Sequence, residues 1–355
     1  MNDGIIENIP ESITEEALQN SSAKLNPTNS ILIAMYGATI GKLGILSYPA
    51  ATNQACCACI EYSAVEKYYL FYFLLSHRHH FIYKGGGGAQ PNISKEKILN
   101  TAIPLPPIEE QRRIIKTIEK WFLIINIVEA NKNEALECIK VAKNKILDLA
   151  IHGKLVPQHP ADEPAIKLLK RVNPSAEITC DNEQYWNMPN GWCVCRIKDL
   201  FKICMGQSPA GTSLNQIEGM EFHQGKICFT DKFLDKSKIL TNRPTKIADA
   251  NSLLICVRAP VGVLNINTRQ ICIGRGLCAL LPSKCVDLGF AFHCLTTYQQ
   301  RFEQKSTGST FKAISGDIIK NELFPLPPLA EQQRIVAKIE ELFAQLDAIE
   351  NSLQA

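Results

Sequence analysis

The sequence lacks the motifs by which common catalytic classes are recognised. Its 355 residues contain no GxxxxGK[ST] phosphate loop, no HExxH, no GxSxG and no GxGxxG ahead of a helix. They also contain no Asn-Pro-Pro-aromatic motif, which an amino-methyltransferase would need. The glycine run at 85–88 is not followed by Lys-Ser or Lys-Thr. These absences favour a binding protein over an enzyme, and we expect no catalytic residue and no cofactor in this chain.

Long apolar runs are missing as well. No stretch approaches the length of a membrane span, and the opening residues MNDGIIENIP do not form a signal peptide. Hydrophobic residues make up 46% of the chain, which is ordinary for a soluble globular protein. We therefore expect a cytoplasmic protein with no membrane partner.

Metal-ligand patterns are incomplete, although the chain has 14 cysteines. Cys56 and Cys59 have CxxC spacing, but no second CxxC or histidine pair completes a tetrahedral zinc site. Reduced, buried cysteines acting as small hydrophobic residues are the favoured interpretation. The cluster at 77–80 (HRHH) is interpreted as the solvated end of a helix rather than as metal or phosphate ligands. No metal is predicted.

Positive charge is concentrated in one block. The net charge of the chain is +3, but residues 191–328 carry 17 Lys and Arg against 10 Asp and Glu, a net +7. A basic domain favours a polyanionic partner, although an ordinary solvated surface can have a similar balance.

The chain repeats itself at an offset of 221 residues. The proline-rich helix start PLPPIEEQRRII at 104–115 recurs as PLPPLAEQQRIV at 325–336. With the same offset and no gap, 31–41 lies over 252–262, 53–60 over 274–281, 85–94 over 306–315, and Gly4 over Gly225. Such a match predicts an internal duplication of a globular unit followed by a helix.

Each copy has mixed secondary structure. Short apolar runs at 31–35 and 55–60, and at 252–257 and 276–281, predict buried strands. Residues 66–82 and 287–304 predict helices with a wide apolar face, each followed by a Gly- or Ser-rich loop. The fold class is therefore α+β, with two duplicated mixed α/β domains.

A long heptad pattern follows the first proline motif. Apolar residues recur with 4,3 spacing from Ile114 to Leu149, and again from Ile335 to Leu353. The first seam would be roughly 50 Å long. Each helix could instead pack on its own domain, but a seam of this length favours two helices paired as an antiparallel coiled coil.

These motifs together resemble the specificity subunit of type I restriction–modification systems. The resemblance rests on PLPPxxEQxxI opening a long helix, on AIHGKLVPQHPADEPA (150–165) and on WNMPNGWCVCRIKDLFKICMGQSP (186–209). It implies two target-recognition domains that each read half of a split site in double-stranded DNA, alternating with two paired helices. It also implies docking of methyltransferase subunits, two in number, on exposed faces of residues 109–149, with the restriction subunits joining through them. The chain itself would be non-catalytic.

The resemblance gives five segments. They are a first recognition domain at 1–107, a central helix at 108–152, a linker at 153–190, a second recognition domain at 191–328 and a distal helix at 329–355. Residues 191–221 have no counterpart before Met1, and Ala355 aligns with Glu134. The resemblance therefore implies a subunit shortened at the N-terminus and at the C-terminal helix, or completed by another chain.

DNA recognition would use phosphate contacts for affinity and major-groove contacts for sequence. A 50 Å spacer would bound the distance between half-sites at about 15 base pairs. Gln111, Arg112, Arg113, Gln332 and Arg334 are expected to fix the domain–helix junctions instead of touching bases. The predicted DNA contacts are Lys226, Lys232, Lys236, Lys238, Arg243, Lys246, Arg258, Arg275, Lys305, Ser306, Thr307, Ser309, Thr310 and Lys312 in the second domain, and Lys42, Lys84, Gly85–Gly88 and Gln90 in the first.

Two other functions remain open from the sequence. One is a scaffold with two protein-binding domains on a coiled-coil spacer and no nucleic acid. The other is an enzyme such as a nuclease with unrecognised chemistry.

Overall fold

The computed structural model describes residues 1–60, 62–85, 92–178, 188–308 and 312–354, and the chain divides into two compact units, Met1–Asn131 and Lys132–Ala355. The strands that begin in unit 1 are β1 Gly4–Ile6, β2 Leu25–Asn26, β3 Ile31–Ala34, β4 Leu43–Leu46, β5 Ala50–Ala51 and β6 Cys56–Cys59. Its helices are α1 Glu15–Gln19, α2 Lys67–Ser76, α3 Arg78–Lys84, α4 Lys95–Leu99 and the first part of α5 Ile108–Ile151.

Unit 2 contains the end of α5 and most of the strands. Its helices are α6 Ala165–Val172, α7 Ile197–Leu200, α8 Leu288–Thr296, α9 Gln299–Lys305, α10 Gly316–Asn321 and α11 Leu329–Gln354. Its strands are β7 Cys193–Arg196, β8 Phe201–Met205, β9 Leu214–Asn215, β10 Met220–His223, β11 Leu240–Thr241, β12 Ile247–Ala248, β13 Ser252–Cys256, β14 Leu264–Asn267, β15 Ile271–Ile273, β16 Leu277–Pro282 and β17 Leu323–Leu326.

The sheet of unit 1 has the order β1-β4-β3-β6, with β1 parallel to β4 and the other neighbours antiparallel. Every residue of β3 and β4 is buried. Ile31 and Ile33 face a core that includes Phe71 and Leu74 of α2, whereas Leu32 packs on the opposite face with Ala50. Because both faces are covered, the strand sequence is continuously apolar and does not alternate.

Unit 2 repeats this sheet as β14-β13-β16-β8 and adds a second sheet of order β12-β15-β10-β11-β9. Ile31 pairs with Cys59 in unit 1, and Leu253 pairs with Leu280 in unit 2. These registers confirm the duplication. They also show that β13 is shifted by one residue, so its offset from β3 is 222 while β16 keeps the offset of 221.

The predicted match of Gly4 with Gly225 is wrong. Ile5 of β1 pairs in parallel with Ile45 of β4, and the residue that pairs in parallel with Ile266 of β14 is Phe233. Phe233 is therefore the structural counterpart of Ile5. The segments between this strand and the next strand of the same sheet differ in length, from Ile5 to Ile31 in unit 1 and from Phe233 to Leu253 in unit 2. The 221-residue offset therefore does not apply to this strand, and the match of Gly4 with Gly225 was a coincidence.

The predicted helices at 66–82 and 287–304 are each broken into two. The first bends at His77 (φ −87°, ψ 3°) and the second at Tyr298 (φ −89°, ψ −4°), two equivalent positions. A straight helix of this length would measure roughly 25 Å and overrun a sheet whose strands lie about 4.8 Å apart. The break brings Phe81 and Phe302, also equivalent, fully into the cores.

A buried glutamine joins α11 to the globular part of unit 2. The Gln332 side chain accepts a hydrogen bond from the Asp287 backbone N–H at 2.7 Å. Its amide donates to the carbonyl oxygens of Cys285 and Pro327 at 3.0 and 2.9 Å. Three backbone groups beside the start of α8 and the start of α11 are thus satisfied by one side chain.

Unit 1 has the same junction. Gln111 accepts from the Glu66 N–H at 2.8 Å and donates to the carbonyl oxygens of Ala64 and Pro106 at 3.0 and 2.9 Å. All four residues are the 221-residue equivalents of those at Gln332. The expectation that these glutamines fix the domain–helix junctions agrees with their contacts.

The first turns of each long helix pack on their own domain. Phe122 of α5 lies 5.8 Å from the Tyr72 ring, and the equivalent Phe343 of α11 lies 6.0 Å from the His293 ring. Ile335 and Ile339 are also fully buried in the core of unit 2. Local packing therefore accounts for the beginning of each helix.

Within unit 2, the end of α5 runs antiparallel to α11. Lys143 pairs with Asp347 and Glu350 at 2.6 and 3.0 Å. Gln158, which follows the end of α5, donates to Glu331 near the start of α11 at 3.2 Å. Residue numbers therefore rise along α5 and its continuation while they fall along α11, as in an antiparallel pair. The predicted antiparallel pairing of the helices is confirmed for this part of α5.

The middle of the seam in α5 is exposed. Trp121, Ile125 and Val128 are 60%, 47% and 59% exposed, whereas Ile139 and Leu147 are buried. Heptad spacing therefore predicted the helix, but only part of the seam is covered by described residues.

Replacing Gln332 by alanine should lower the free energy of unfolding by about 2–4 kcal/mol, because buried backbone groups of Cys285, Asp287 and Pro327 would lose their partner. The exposed neighbour Gln333 is the matched control, and Gln333→Ala should change the free energy of unfolding by less than about 0.5 kcal/mol. Urea unfolding measures both. Equal destabilisation by the two variants would contradict a special role for the junction.

Candidate nucleic-acid interface

Three glycines of unit 2 lie where loops cross at very short distance. A Cβ on Gly206 would lie 2.2 Å from the Gly274 carbonyl oxygen, and one on Gly276 would lie 2.1 Å from the Gln224 carbonyl oxygen. No other residue fits at either position without moving backbone. We call residues 206–208, 224–226 and 274–276 the glycine crossing. It lies at the carboxyl ends of the parallel strands β10 and β15.

Hydrogen bonds hold the backbone of the crossing on several sides. The Gln207 N–H donates to the Ile273 carbonyl at 3.0 Å, and the Thr245 hydroxyl donates to the Gln207 carbonyl. The Arg275 N–H donates to the Ser208 hydroxyl at 3.4 Å. The side chains of Gln207 and Arg275 remain exposed. The crossing therefore presents polar side chains from a fixed backbone.

Five of the predicted cationic residues lie on or beside this crossing. The Lys246 carbonyl accepts from the Ile273 N–H at 2.9 Å, and the Lys312 carbonyl accepts from the Ala259 N–H at 3.1 Å. The Val257 N–H donates to the Gly276 carbonyl at 2.9 Å, which brings the next residue, Arg258, close to the turn. We call this set the cationic rim: Lys226, Lys246, Arg258, Arg275 and Lys312.

The cationic rim is not neutralised by ion pairs within the described part of the chain. All five side chains are exposed, and none forms an ion pair with any of the residues that the structure describes. Exposed cations of this kind contact the phosphates of a nucleic acid, and polar groups on a fixed backbone hydrogen-bond to its base edges. The surface is therefore suited to a nucleic acid.

The remaining predicted cations of unit 2 differ in their availability. Lys236, Lys238 and Arg243 are exposed in the loops on either side of β11. Lys232 instead pairs with Glu340 of α11 at 2.6 Å, and Lys305 pairs with the buried Glu322. The last two would have to leave an existing partner before they could contact another anion.

Ser306 and Thr307 belong to a short loop whose backbone is fixed. The Ser306 hydroxyl donates to the Glu303 carbonyl at 2.6 Å, and Thr307 exchanges two backbone hydrogen bonds with Ala313. The predicted contacts Ser309 and Thr310 lie outside the described residues. In unit 1, Lys42 and Lys84 are exposed and Gly85 ends α3, while Gly86–Gly88 and Gln90 also lie outside the described part.

A half-buried ion pair secures the loop that follows residues 224–226 of the crossing. Arg269 makes two hydrogen bonds to the Glu221 carboxylate, at 2.7 and 2.6 Å, and donates to the carbonyls of Leu234 and Asp235. The Ser237 N–H donates to the same carboxylate at 3.0 Å. Residues 234–237 are thereby tied to β10 and β15.

Electrostatics within this network follow from its contacts. The Arg269 guanidinium lowers the pKa of the Glu221 carboxyl to about 2. Burial lowers the pKa of His223, whose ring contacts Glu221 at 3.2 Å, so the imidazole is neutral at physiological pH. The network therefore holds one negative and one positive charge and adds no net charge to the surface.

Sequence reasoning missed several residues of this surface. The predictions rested on positive charge and on the Gly- and Ser-rich loops. They therefore did not include the polar residues Gln207, Ser208, Gln224 and Thr245. Gln207 follows Gly206 directly and Gln224 precedes Gly225, so adjacency to a glycine was a usable signal for these two. No glycine lies near Thr245 in the sequence, and only the fold brings it to the crossing. Nothing in sequence spacing links Glu221 to Arg269, which are 48 residues apart.

Among the described residues there is no group of three or more His, Cys, Asp or Glu side chains that could hold a metal ion. Within that same part of the chain, no helix combines the length and the apolar character that crossing a membrane requires. The described cysteines are free thiols, most of them buried or half-buried.

Comparison with known proteins gives a consistent result. The family described as type I restriction modification DNA specificity domain matches residues 1–138 and 189–355. The putative type I restriction enzyme MjaX specificity subunit of Methanocaldococcus jannaschii is 32% identical over 71% of this chain and 55% of its own length. The EcoAI specificity subunit of Escherichia coli is 24% identical over 68% of this chain and 53% of its own length. The chain thus spans about half the length of these curated relatives.

Solved structures show the same fold. A chain from a structure on complex assembly and conformational transition of the type I restriction–modification system has a TM-score of 0.72 at 26% identity, covering 93% of this chain and 78% of that one. The HsdS subunit from Thermoanaerobacter tengcongensis has a TM-score of 0.59 at 26% identity, covering 93% and 76%.

Glu221→Gln should lower the free energy of unfolding of unit 2 by about 1–2 kcal/mol at pH 7, because it removes the ion pair with Arg269. The loss is no larger because solvent partly screens the pair. The folded-state pKa of Glu221 is depressed, so its contribution is present above the ordinary pKa near 4.5 and is lost as pH falls toward about 2. Thermal unfolding from pH 7 to pH 2 measures the difference between wild type and variant. That difference should shrink below about pH 4.5. A difference independent of pH would contradict the assignment.

Proposed function

This chain belongs to the type I restriction–modification DNA specificity family, and on that basis we propose that it is a DNA-binding specificity subunit that reads a bipartite site in double-stranded DNA. Each unit would read one half-site. The chain would contribute sequence recognition and no chemistry to the complex.

The cationic rim around the glycine crossing is the observation that carries this proposal. Lys and Arg side chains that form no ion pair within the described residues would contact phosphates and release the counterions condensed on DNA, which gives affinity that falls steeply with salt. Phosphate contacts would set the register of unit 2 on the duplex, and the polar side chains of the crossing would then reach base edges in the major groove.

Methyltransferase subunits, two in number, are the proposed protein partners, and restriction subunits would join through them. Support comes from the family and from the relatives, which are named as specificity subunits of type I restriction enzymes. The exposed apolar residues of α5 between Trp121 and Val128 are the proposed contact surface, since such a patch is costly to leave in water. A cytoplasmic location follows from this role.

Removing two cations of the rim, Lys226→Ala with Lys246→Ala, should weaken DNA binding about tenfold at moderate salt and reduce the slope of log K against log salt by about 1–2. Gel shifts of the full chain with its methyltransferase subunits across a salt series measure both values. Lys338→Ala is the control, because this ammonium already pairs with Glu341 on α11. Absent or salt-insensitive binding by the wild type would contradict DNA recognition and favour a protein-binding scaffold.

The purified chain alone should neither cut nor methylate DNA. Incubation with supercoiled plasmid and Mg²⁺ should leave the plasmid intact, and incubation with a labelled methyl donor should transfer no label. Nicking or label transfer that persists through further purification would contradict a non-catalytic role.

A further inference from the structure

The two copies present the same turn immediately before a buried strand. In unit 1 the turn contains Gln54 and Ala55 and leads into β6, and in unit 2 it contains Arg275 and Gly276 and leads into β16. The Cys56 N–H donates back to the Asn53 carbonyl at 3.3 Å in unit 1. In unit 2 the equivalent Leu277 N–H donates to the Gly274 carbonyl at 3.0 Å.

A second hydrogen bond fixes each turn to the neighbouring strand. The Met35 N–H donates to the Ala55 carbonyl at 2.8 Å, and the Val257 N–H donates to the Gly276 carbonyl at 2.9 Å. Both anchors immediately follow an inner strand of their sheet, β3 or β13. Gln54 and Arg275 therefore occupy one structural position in two copies of the same unit.

The side chains at this position are free to reach outward. Both are exposed, and within the described residues neither forms an ion pair or a side-chain hydrogen bond. Their backbones are held by the strands on either side, so little backbone entropy remains to be lost when a partner binds. The framework is shared between the copies and the side chain is what differs.

The two side chains have different and specific preferences in a DNA major groove. An arginine guanidinium matches the O6 and N7 acceptors of guanine, and a glutamine amide matches the N6 donor and N7 acceptor of adenine. Both geometries are bidentate, which is why they discriminate between bases. A duplicated unit that reads two different half-sites needs such differences at equivalent positions.

We propose that position 54 and its equivalent 275 determine specificity: Gln54 reads an adenine in the half-site bound by unit 1, and Arg275 reads a guanine in the half-site bound by unit 2. This rests on the proposed function, because it requires that both units bind DNA. It assigns Arg275 to a base edge, whereas the other four residues of the cationic rim contact phosphates.

Selection from a library of randomised duplexes tests the proposal, using the full chain with its methyltransferase subunits. The wild type should enrich a split site with an adenine in one half and a guanine in the other. Arg275→Gln should replace that guanine by adenine at one position and leave the rest unchanged. Gln54→Arg should make the reverse change, adenine to guanine, in the other half-site.

Binding measurements on single duplexes give the expected magnitude. Arg275→Gln should lose about 10- to 100-fold in affinity for the wild-type site and recover most of it on the duplex with the altered base. Lys236→Gln is the matched control, because it removes the same charge from an exposed loop residue. It should weaken binding to all duplexes alike and leave the selected site unchanged.

The possible outcomes distinguish failure of this inference from failure of the proposed function. If the wild type enriches a site but Arg275→Gln weakens binding to every duplex with no change of base, Arg275 contacts phosphate and the inference for unit 2 is wrong. An unchanged site for Gln54→Arg overturns the inference for unit 1. If the wild type enriches no site at all, the proposed function itself fails.

Discussion

The arrangement of each copy depends on one buried glutamine at the beginning of a long helix. Gln111 and Gln332 have no solvent exposure, and each hydrogen-bonds to three backbone groups around the start of its long helix. Because an amide both donates and accepts, one side chain can join the end of the proline segment, the loop ahead of a domain helix and that helix's first N–H. The direction in which the helix leaves the domain is thereby fixed, and the proline residues on the preceding segment limit it further.

The surface of unit 2 shows how rigidity and charge are combined. Glycines at 206, 274 and 276 allow backbone segments to approach more closely than a side chain would permit, and hydrogen bonds connect these segments. The Glu221–Arg269 pair then ties down the adjacent loop without adding net charge, since its two charges cancel. The exposed cations therefore extend from a backbone that does not need to become ordered when an anion binds. Preorganisation of this kind reduces the entropic cost of binding.

Much of this could be predicted from the sequence, for identifiable reasons. The repeated proline motif, the apolar strands and the heptad spacing are local patterns, and they predicted the duplicated α+β units, the long helices and the family. The breaks at His77 and Tyr298 were missed because helix periodicity continues through them, and the sheet width that forces them is a tertiary property. The pairing of Ile5 with Ile45 was missed because it depends on loop length. The sequence identified lysines as candidate contacts but could not show which of them are already paired. Lys232 and Lys305 pair with Glu340 and Glu322, which are 108 and 17 residues away in sequence.

The central claim is that the crossing loops of unit 2 are where this protein meets DNA, and amide hydrogen exchange tests it most directly. The full chain with its methyltransferase subunits would be compared with and without a duplex carrying the selected site. The account predicts slower exchange in residues 224–226 and 243–246 and in the turn at 274–276, with the buried strands β13 and β16 unchanged. Protection confined to α5 and α11, with these loops exchanging as fast as in the free complex, would contradict it.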